Sequence, residues 1–249
     1  MSANGIESER QFAVPNADEI AALLIAAGAE LDAPCDAYEG RWRSTMGLLV
    51  SSDHPTEAGV AGRLVKLLCS AGAAVDGPDD DGSPLGTALC FGTLDCVCAL
   101  IARGARTDNA AFAAAAGRTD WLQAWLMARA PQRRGLPRRF FPLPVPAVAA
   151  EQALVFACMC GQIKVVRLLL DRGVSVNANP PGSRWTATAL HTAAVQGQAS
   201  VVALLLQRGA DPTLRDSRYQ STPIGWLRHA RGPRPGLTRE VAALLEGRG

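Results

Sequence analysis

The feature that most constrains this chain is a pair of short apolar helices that recurs along it, each time followed by a glycine. The clearest copy is residues 188–211, TALHTAAVQGQASVVALLLQRGAD. Its apolar residues predict a first helix that ends near Gly197 and a second that ends at Gly209, where glycine adopts a positive φ at little cost. A helix pair this short cannot cover its own apolar face, so it needs similar pairs stacked on both sides.

Further copies are found by using the glycine after each second helix as a register mark. Such glycines are Gly28, Gly72, Gly104, Gly173 and Gly249, and Arg129 holds the same place in one more copy. Pro- and Gly-rich insertions at 51–59 and 230–236 separate paired helices. We therefore expect an all-α fold of stacked antiparallel helix pairs. The approximate repeats are 11–32, 43–76, 83–107, 108–130, 151–177, 186–213 and 221–249, with a Pro/Arg-rich inserted loop at 131–148 and a flexible N-terminus at 1–10.

The composition suits this fold and indicates a compartment. Nearly half the residues (48%) are hydrophobic but only 5% are aromatic, as expected for small helices packed through Ala and Leu. A net charge of +2 gives no global field for nucleic acid or an anionic membrane. Seven cysteines lack the spacing of a disulfide scaffold, and no apolar run resembles a secretion signal or a membrane span. We predict a cytoplasmic protein.

Several short motifs in these copies resemble the ankyrin repeat signature. Residues 188–191 (TALH) and 209–211 (GAD) match it, with Ala189 in place of the usual proline, and residues 222–225 (TPIG) and 83–86 (SPLG) resemble the same opening with glycine replacing its histidine. The spacing of 25 to 44 residues between stops scatters around the ankyrin period of about 33. The resemblance covers about residues 11–249. The chain is similar to divergent bacterial ankyrin proteins that carry Pro/Gly insertions. It implies an ankyrin-repeat solenoid of six or seven repeats.

The two ends depart from the signature. The element around residues 11–28 looks like the end of a repeat, and the last repeat stops at its glycine. Either the ends are atypical capping repeats or the chain is a piece of a longer array. We expect a missing or degenerate N-terminal part.

The three histidines share no metal-ligand spacing. His54, His191 and His229 fall in separate repeats. His191 occupies the histidine position of the signature, so the resemblance implies that it ties adjacent loops together. His229 is expected on the exposed side of a first helix.

The cysteine pairs do not indicate a metal or redox site. Cys96 and Cys98, and likewise Cys158 and Cys160, are two residues apart, and such residues on a helix point about 200° apart. Neither pair can chelate a metal, and core packing is the favoured interpretation.

Other motifs typical of catalysis or ligand binding are missing. The acidic run at 79–82 (DDDG) lacks the alternating ligands and the distal glutamate of a calcium loop, which favours a solvated turn. The sequence has no glycine-rich phosphate loop and no G-x-S-x-G elbow. We expect no catalytic residue, no cofactor and no metal.

The strongest local charge feature lies in the inserted loop. Arg133, Arg134, Arg138 and Arg139 stand beside Phe140 and Phe141. Arginine with aromatic residues is typical of single-stranded nucleic-acid sites, but the prolines and the even total charge favour a solvated or partner-binding loop. Nucleic-acid binding is kept as the weaker hypothesis.

The resemblance implies a partner-binding surface on the concave side, made of the fingers (the loops before each first helix) and the exposed side of the first helices. Carried over by position, it selects Phe91, Met159, Gln196 and His229 on first helices, and Asp79, Asp80, Arg184, Trp185, Arg218 and Tyr219 on fingers. Trp, Tyr and Arg usually dominate binding energy, so Trp185, Arg218 and Tyr219 rank first. Trp121, Trp125 and Trp226 are expected to be buried between helices.

The function expected from the resemblance is a monomeric, non-catalytic scaffold that binds a partner protein. A stiff curved surface loses little ordering entropy when it docks a partner. The alternative is a regulatory or accessory module of a larger enzyme, toxin or effector system. An upstream extension of the reading frame with a catalytic motif would favour that alternative.

Overall fold

A computed structural model describes residues 14–33, 44–128, 148–180, 187–229 and 235–247. These residues form fourteen α-helices and no β-strand, as the sequence predicts. The chain divides into two compact units. Unit 1 contains Met1–Ala88 and Asp95–Ala105, and unit 2 contains Leu89–Leu94 and Arg106–Gly249.

The described part of unit 1 contains a second helix, α1, and a complete helix pair. Its helices are α1 (Ala17–Ala26), α2 (Thr45–Ser51), α3 (Asp53–Glu57) and α4 (Ala61–Ala71), and α5 (Ser83–Phe91) and α6 (Leu94–Ala102) contribute residues to both units. Helix α4 packs against α1, α2 and α3. Met46, Val50 and Val65 are completely buried there, so the apolar periodicity of α2 and α4 builds the core of this unit.

The face of α1 that turns away from this core is apolar and exposed. Ile20, Leu23 and Leu24 lie at helical spacing on this face, and Leu23 is 71% exposed. On the other side, the Arg63 guanidinium donates from Nε to Asp18 Oδ2 over 2.6 Å and joins α4 to α1. Within the described residues α1 therefore has its neighbouring second helix but an uncovered apolar face.

Unit 2 is a stack of helix pairs in two layers. Its helices are α7 (Ala110–Ala115), α8 (Thr119–Ala128), α9 (Ala149–Met159), α10 (Ile163–Asp171), α11 (Ala189–Val195), α12 (Ala199–Gln207), α13 (Pro223–His229) and α14 (Pro235–Leu245). The first helices α7, α9, α11 and α13 contact one another in chain order, and the second helices α8, α10, α12 and α14 form the other layer in the same order. The interior of each pair is thus covered by its neighbours, as short helix pairs require.

The first helices of unit 2 approach one another closely because their facing residues are small. Ala113, Ala157 and Ala193 are completely buried, and Leu190 and Leu205 fill the space between the layers. Alanine also has the strongest helix propensity. The alanine-rich sequence of these helices thus accounts for both their helicity and their packing.

Glutamine side chains tie neighbouring pairs together. Gln162 Nε2 donates to the Ala115 carbonyl over 3.0 Å, and Gln198 Nε2 donates to the Met159 carbonyl over 3.2 Å. Ala115 and Met159 are the last residues of α7 and α9, where helix carbonyls lack an intrahelical partner. Each glutamine therefore caps the first helix of the preceding pair.

The predicted glycine stops are confirmed where the structure describes them. Gly28, Gly72, Gly104, Gly173 and Gly209 follow second helices with φ of +88°, +107°, +88°, +83° and +83°. L-residues with a side chain rarely adopt this region, which explains why the register mark could be read from the sequence. Arg129 and Gly249 lie outside the described residues.

The structure adds detail at both insertions and at the last helix. The insertion at 51–59 contains a short helix, α3, and the insertion at 230–236 ends inside α14, which begins at Pro235. Proline is well suited to a first helical position because its missing N–H has no partner there. The last helix ends at Leu245, before the predicted stop, and Gly247 has a positive φ of +70°.

The cysteines and tryptophans are less buried than predicted. Cys96 and Cys158 are buried, but Cys98 is exposed, so core packing is the wrong interpretation for that residue. Burial raises the pKa of the Cys158 thiol. Trp121 and Trp125 are only half-buried on α8, with their rings stacked at 6.4 Å. Trp226 is half-buried on α13.

Asp32 and Asn177 occupy equivalent places but make different hydrogen bonds. Asn177 Oδ1 accepts from the Asp211 amide over 2.9 Å, and its Nδ2 donates to the Gly209 carbonyl over 3.1 Å. Asp32 Oδ2 likewise accepts from the Ala74 amide over 3.0 Å. Its Oδ1 is buried and has no hydrogen-bond partner within the described residues. A carboxylate cannot supply the second, donating contact that the Asn177 amide makes.

We expect Asp32→Asn to stabilise the protein by about 1 kcal/mol, because the new amide can donate as Asn177 does and no buried acceptor is left without a donor. Urea denaturation followed by circular dichroism measures the change. Asn177→Asp, the reverse substitution at the equivalent place, should destabilise by a similar amount. An Asp32→Asn midpoint at or below the wild-type value would contradict the assignment.

Candidate functional site

One loop of unit 2 is ordered by a buried side chain: residues 215–221, between α12 and α13, which we call the 215–221 finger. Its centre is Asp216, which is completely buried. Asp216 Oδ1 accepts from the amides of Arg218 (2.8 Å) and Tyr219 (2.6 Å). Oδ2 accepts from the Ser221 amide (2.8 Å) and from the Trp226 indole (3.0 Å). One carboxylate thus holds three backbone amides of the finger and the first turns of α13.

These four donors decide the ionisation of Asp216. Burial alone would raise the pKa of this carboxyl, but the amides of Tyr219 and Ser221, the Trp226 indole and the Arg218 amide together hold the pKa below its usual value. Asp216 is therefore a buried carboxylate whose charge is stabilised by the loop around it. Its role is to fix the backbone of the finger.

His191 joins the finger to the preceding first helix, α11. It is completely buried, with Nδ1 2.8 Å from Thr188 Oγ1 and Nε2 3.0 Å from the Ser221 carbonyl. Its ring also meets the Trp226 ring edge-on, with the centroids 5.2 Å apart. The predicted role of His191, tying adjacent loops together, is confirmed by these contacts.

The stability of the protein should depend on pH through these two groups. Burial lowers the pKa of His191 and outweighs the Ser221 carbonyl and the Asp216 charge, which both raise it. The His191 contribution is therefore complete above its unfolded-state pKa of about 6.5 and is lost as pH falls from there towards the folded-state pKa. The Asp216 contribution is present above about pH 4 and is lost as pH falls through its lowered pKa.

We expect the urea midpoint to fall in two steps on acidification, the first beginning below about pH 6.5 and the second below about pH 4. Midpoints measured by circular dichroism between pH 8 and pH 3 test this. The first step should be smaller in His191→Gln, which keeps polar atoms but does not titrate. A wild-type midpoint that stays constant from pH 8 to pH 5 would contradict the neutral, buried state of His191.

The tip of the finger presents large side chains to solvent. Tyr219 is 58% exposed, and the Arg218 guanidinium carbon lies 5.5 Å from the centre of its ring. Gln220 has a φ of +52°, which turns the chain back towards α13. Arg215 Nη1 donates to the Gln220 carbonyl across the base of the tip. The tip therefore combines an exposed aromatic ring with two arginines, on a backbone that the buried Asp216 carboxylate fixes.

The first-helix residues selected from the sequence differ in exposure. His229 is exposed at the end of α13, and its Nδ1 lies 2.8 Å from the Gly225 carbonyl. Gln196 is half-buried, and its Nε2 donates to the Gly92 carbonyl over 2.9 Å. Phe91 is half-buried, whereas Met159 is only 3% exposed. Met159 is thus poorly placed to contact a partner, because the end of α9 is covered by the following pair.

The remaining selected residues lie elsewhere or outside the described part of the chain. Asp79 and Asp80 are exposed in the turn of unit 1 that precedes α5. Arg184 and Trp185, and the arginines and phenylalanines of the 131–148 loop, lie outside the described residues. Of the ten residues selected, Arg218 and Tyr219 share one finger, and His229 lies on the helix that follows it.

Sequence reasoning missed Asp216 and misjudged Trp226. Aspartate often accepts backbone amides in turns, and Asp216 stands just before the turn that opens α13, which was an available signal. This signal did not lead to a prediction that Asp216 is buried, because most aspartates in proteins are exposed. The Trp226 indole is used as a donor to Asp216, so this ring is part of the finger's support as well as of the packing.

The described residues show no arrangement typical of a metal site or a membrane span. They contain no group of three or more His, Cys, Asp or Glu side chains that could hold a metal ion. None of their helices is long and apolar enough to cross a bilayer.

A comparison with protein-family models finds a match within unit 2. Residues 112–216 match the family model described as ankyrin repeats, in three copies. Among solved structures, the crystal structure of the human ASB11 ankyrin repeat domain matches 92% of this chain and 95% of that chain, with 22% identity and a TM-score of 0.40. No curated protein matches this chain significantly. The family match covers α8 to α12 and reaches Asp216, at the base of the finger.

Proposed function

Since this chain is built from ankyrin repeats over residues 112–216, we propose that it is a scaffold that binds a partner protein through the 215–221 finger. Ankyrin repeats generally serve as protein–protein interaction modules, and their fold is typically not enzymatic. The observation that carries the proposal is the contrast within the finger. Its backbone is fixed by four donors to buried Asp216, whereas its tip exposes Tyr219 and Arg218.

This contrast favours binding for two physical reasons. A loop that is already ordered loses little conformational entropy on docking, so more of the contact energy becomes affinity. Tyrosine and arginine are also the side chains that most often dominate interface energy, because each combines a large contact area with polar atoms. His229 on α13 extends the same proposed surface, with Gln196 and Phe91 as further contacts of lower exposure.

We propose that the scaffold has no catalytic role and needs no cofactor. Asp216 and His191, the buried titratable groups of the site, are both engaged in holding the loop. A reducing compartment such as the cytoplasm suits the six described cysteines, none of which forms a disulfide bond. We propose a monomer as the working state, with the repeat bounds given from the sequence.

The proposal is tested by affinity purification from native lysate with wild-type protein and two variants. Tyr219→Ala should reduce recovery of a stoichiometric companion about tenfold or more, because an exposed interface tyrosine is a typical hot spot. Met127→Ala removes a similarly exposed side chain on α8 and should leave recovery unchanged. Circular dichroism checks that both variants fold. Loss of the companion with Met127→Ala but not with Tyr219→Ala would show that the finger is not the binding surface.

A further inference from the structure

The exposed charges of the finger and of α13 have one sign. Between residues 212 and 229 the sequence contains Arg215, Arg218 and Arg228, and its one acidic residue is Asp216. All three arginines are exposed, whereas the Asp216 carboxylate is buried and receives four donors. Asp216 is the only negative charge in this stretch of sequence, and because it is buried it does not face a partner. Arg228 on α13 lies 3.5 Å from Glu246 Oε1 and is paired with it. The positive charge that a partner meets is therefore concentrated at Arg215 and Arg218 of the finger.

The arginine at the tip is held in a defined position. Its backbone amide donates to Asp216, and its guanidinium lies against the Tyr219 ring. Such a stacked guanidinium keeps its donors in a plane and can bind a carboxylate through two parallel N–H···O bonds. Arg215 is restrained in a similar way by its bond to the Gln220 carbonyl. The finger thus offers positioned guanidinium groups beside an aromatic ring.

From this charge pattern we infer that the 215–221 finger binds an acidic segment of a partner protein, with a Glu or Asp carboxylate against Arg218 and an adjoining side chain against the Tyr219 ring. This rests on the proposed function, since it names the partner chemistry of the same finger. A peptide is favoured over a nucleic acid because two or three arginines give few phosphate contacts and the whole chain carries a net charge of only +2. A peptide needs only a few such contacts and also uses the ring.

The first experiment uses a fluorescein-labelled octaglutamate peptide and a matched octaglutamine peptide, with fluorescence anisotropy read in 50 mM and 300 mM NaCl. We expect octaglutamate to bind and octaglutamine to bind at least tenfold more weakly. Arg218→Gln should weaken octaglutamate binding about tenfold. Arg172→Gln removes one exposed arginine from the end of α10 and should change it less than twofold. The Arg218 side chain can be replaced without removing its amide bond to Asp216.

Equal weakening by Arg218→Gln and Arg172→Gln would overturn the inference, because binding would then reflect net charge. Equal binding of the two peptides would overturn it as well. A 20-nucleotide single-stranded DNA that binds more tightly than octaglutamate and is lost in Arg218→Gln would assign the finger to nucleic acid instead. If octaglutamate fails while Tyr219→Ala still removes the companion protein, the proposed function stands and only the acidic chemistry is wrong.

A second copy of this chain is another source of acidic residues, because Asp79 and Asp80 are exposed. Sedimentation velocity in 50 mM NaCl distinguishes self-association of this chain from binding of a different partner protein. We expect a monomer over a hundredfold range of concentration. A dimer that is lost both in Arg218→Gln and in the Asp79→Asn, Asp80→Asn double variant would overturn the assignment to a partner protein.

Discussion

Replacing Asp216 by Asn is expected to destabilise the protein by about 2–4 kcal/mol. Each oxygen of the carboxylate accepts two hydrogen bonds, one pair from Arg218 and Tyr219 and the other from Ser221 and Trp226. An Asn side chain in either orientation turns its NH2 group towards two donors. The remaining oxygen is also uncharged, so its two bonds are weaker.

Urea denaturation at pH 7 measures the Asp216→Asn effect. The matched control is Asp79→Asn, the same change at an exposed turn, which should stay within about 0.5 kcal/mol of wild type. Helix content should be unchanged in both variants, because Asp216 supports a loop. If the two variants have equal midpoints, the four-donor network does not hold the finger.

Leu190→Ala is expected to destabilise the protein by about 2–5 kcal/mol. Leu190 is 1% exposed and belongs to the core that joins the helix pairs of unit 2. Removing three carbon atoms leaves a cavity that the surrounding alanines cannot fill, because their side chains have no rotamers to rearrange. The loss should appear as a lower urea midpoint with the fold retained.

Leu23→Ala is the matched control for Leu190→Ala. It makes the same chemical change on the exposed face of α1 and should alter stability by less than about 0.5 kcal/mol. If Leu190→Ala is as mild as Leu23→Ala, the stacked core is not what stabilises unit 2. A double substitution should be additive, since the two residues belong to separate units.

The helix pairs could be predicted because their signals are local. The alternation of apolar stretches with glycines marks the ends of α4, α10 and α12, since those glycines adopt a positive φ that other residues avoid. His191 could be assigned from the TALH motif, and its two hydrogen bonds agree with that assignment. Short-range patterns with a strong steric cause are readable from one sequence.

The rest depended on contacts between distant parts of the chain. Met159 was selected by its position on α9, but its exposure is decided by Gln198 and the pair that follows. Asp216 was overlooked because its burial requires the finger to fold over it. Helix α3 lies within the Pro- and Gly-rich insertion at 51–59, where the sequence predicted no additional helix. Such features follow from tertiary packing, which local propensity does not contain.

The measurement that tests the central claim most directly is amide hydrogen exchange at the finger, followed by NMR at pH 7. We predict that the amides of Tyr219 and Ser221 exchange about 100-fold or more slowly than in an unstructured chain, because they donate to a buried carboxylate. That protection should be lost in Asp216→Asn while α12 stays protected. Unprotected Tyr219 and Ser221 amides in the wild-type protein would contradict a finger that is ordered before it binds.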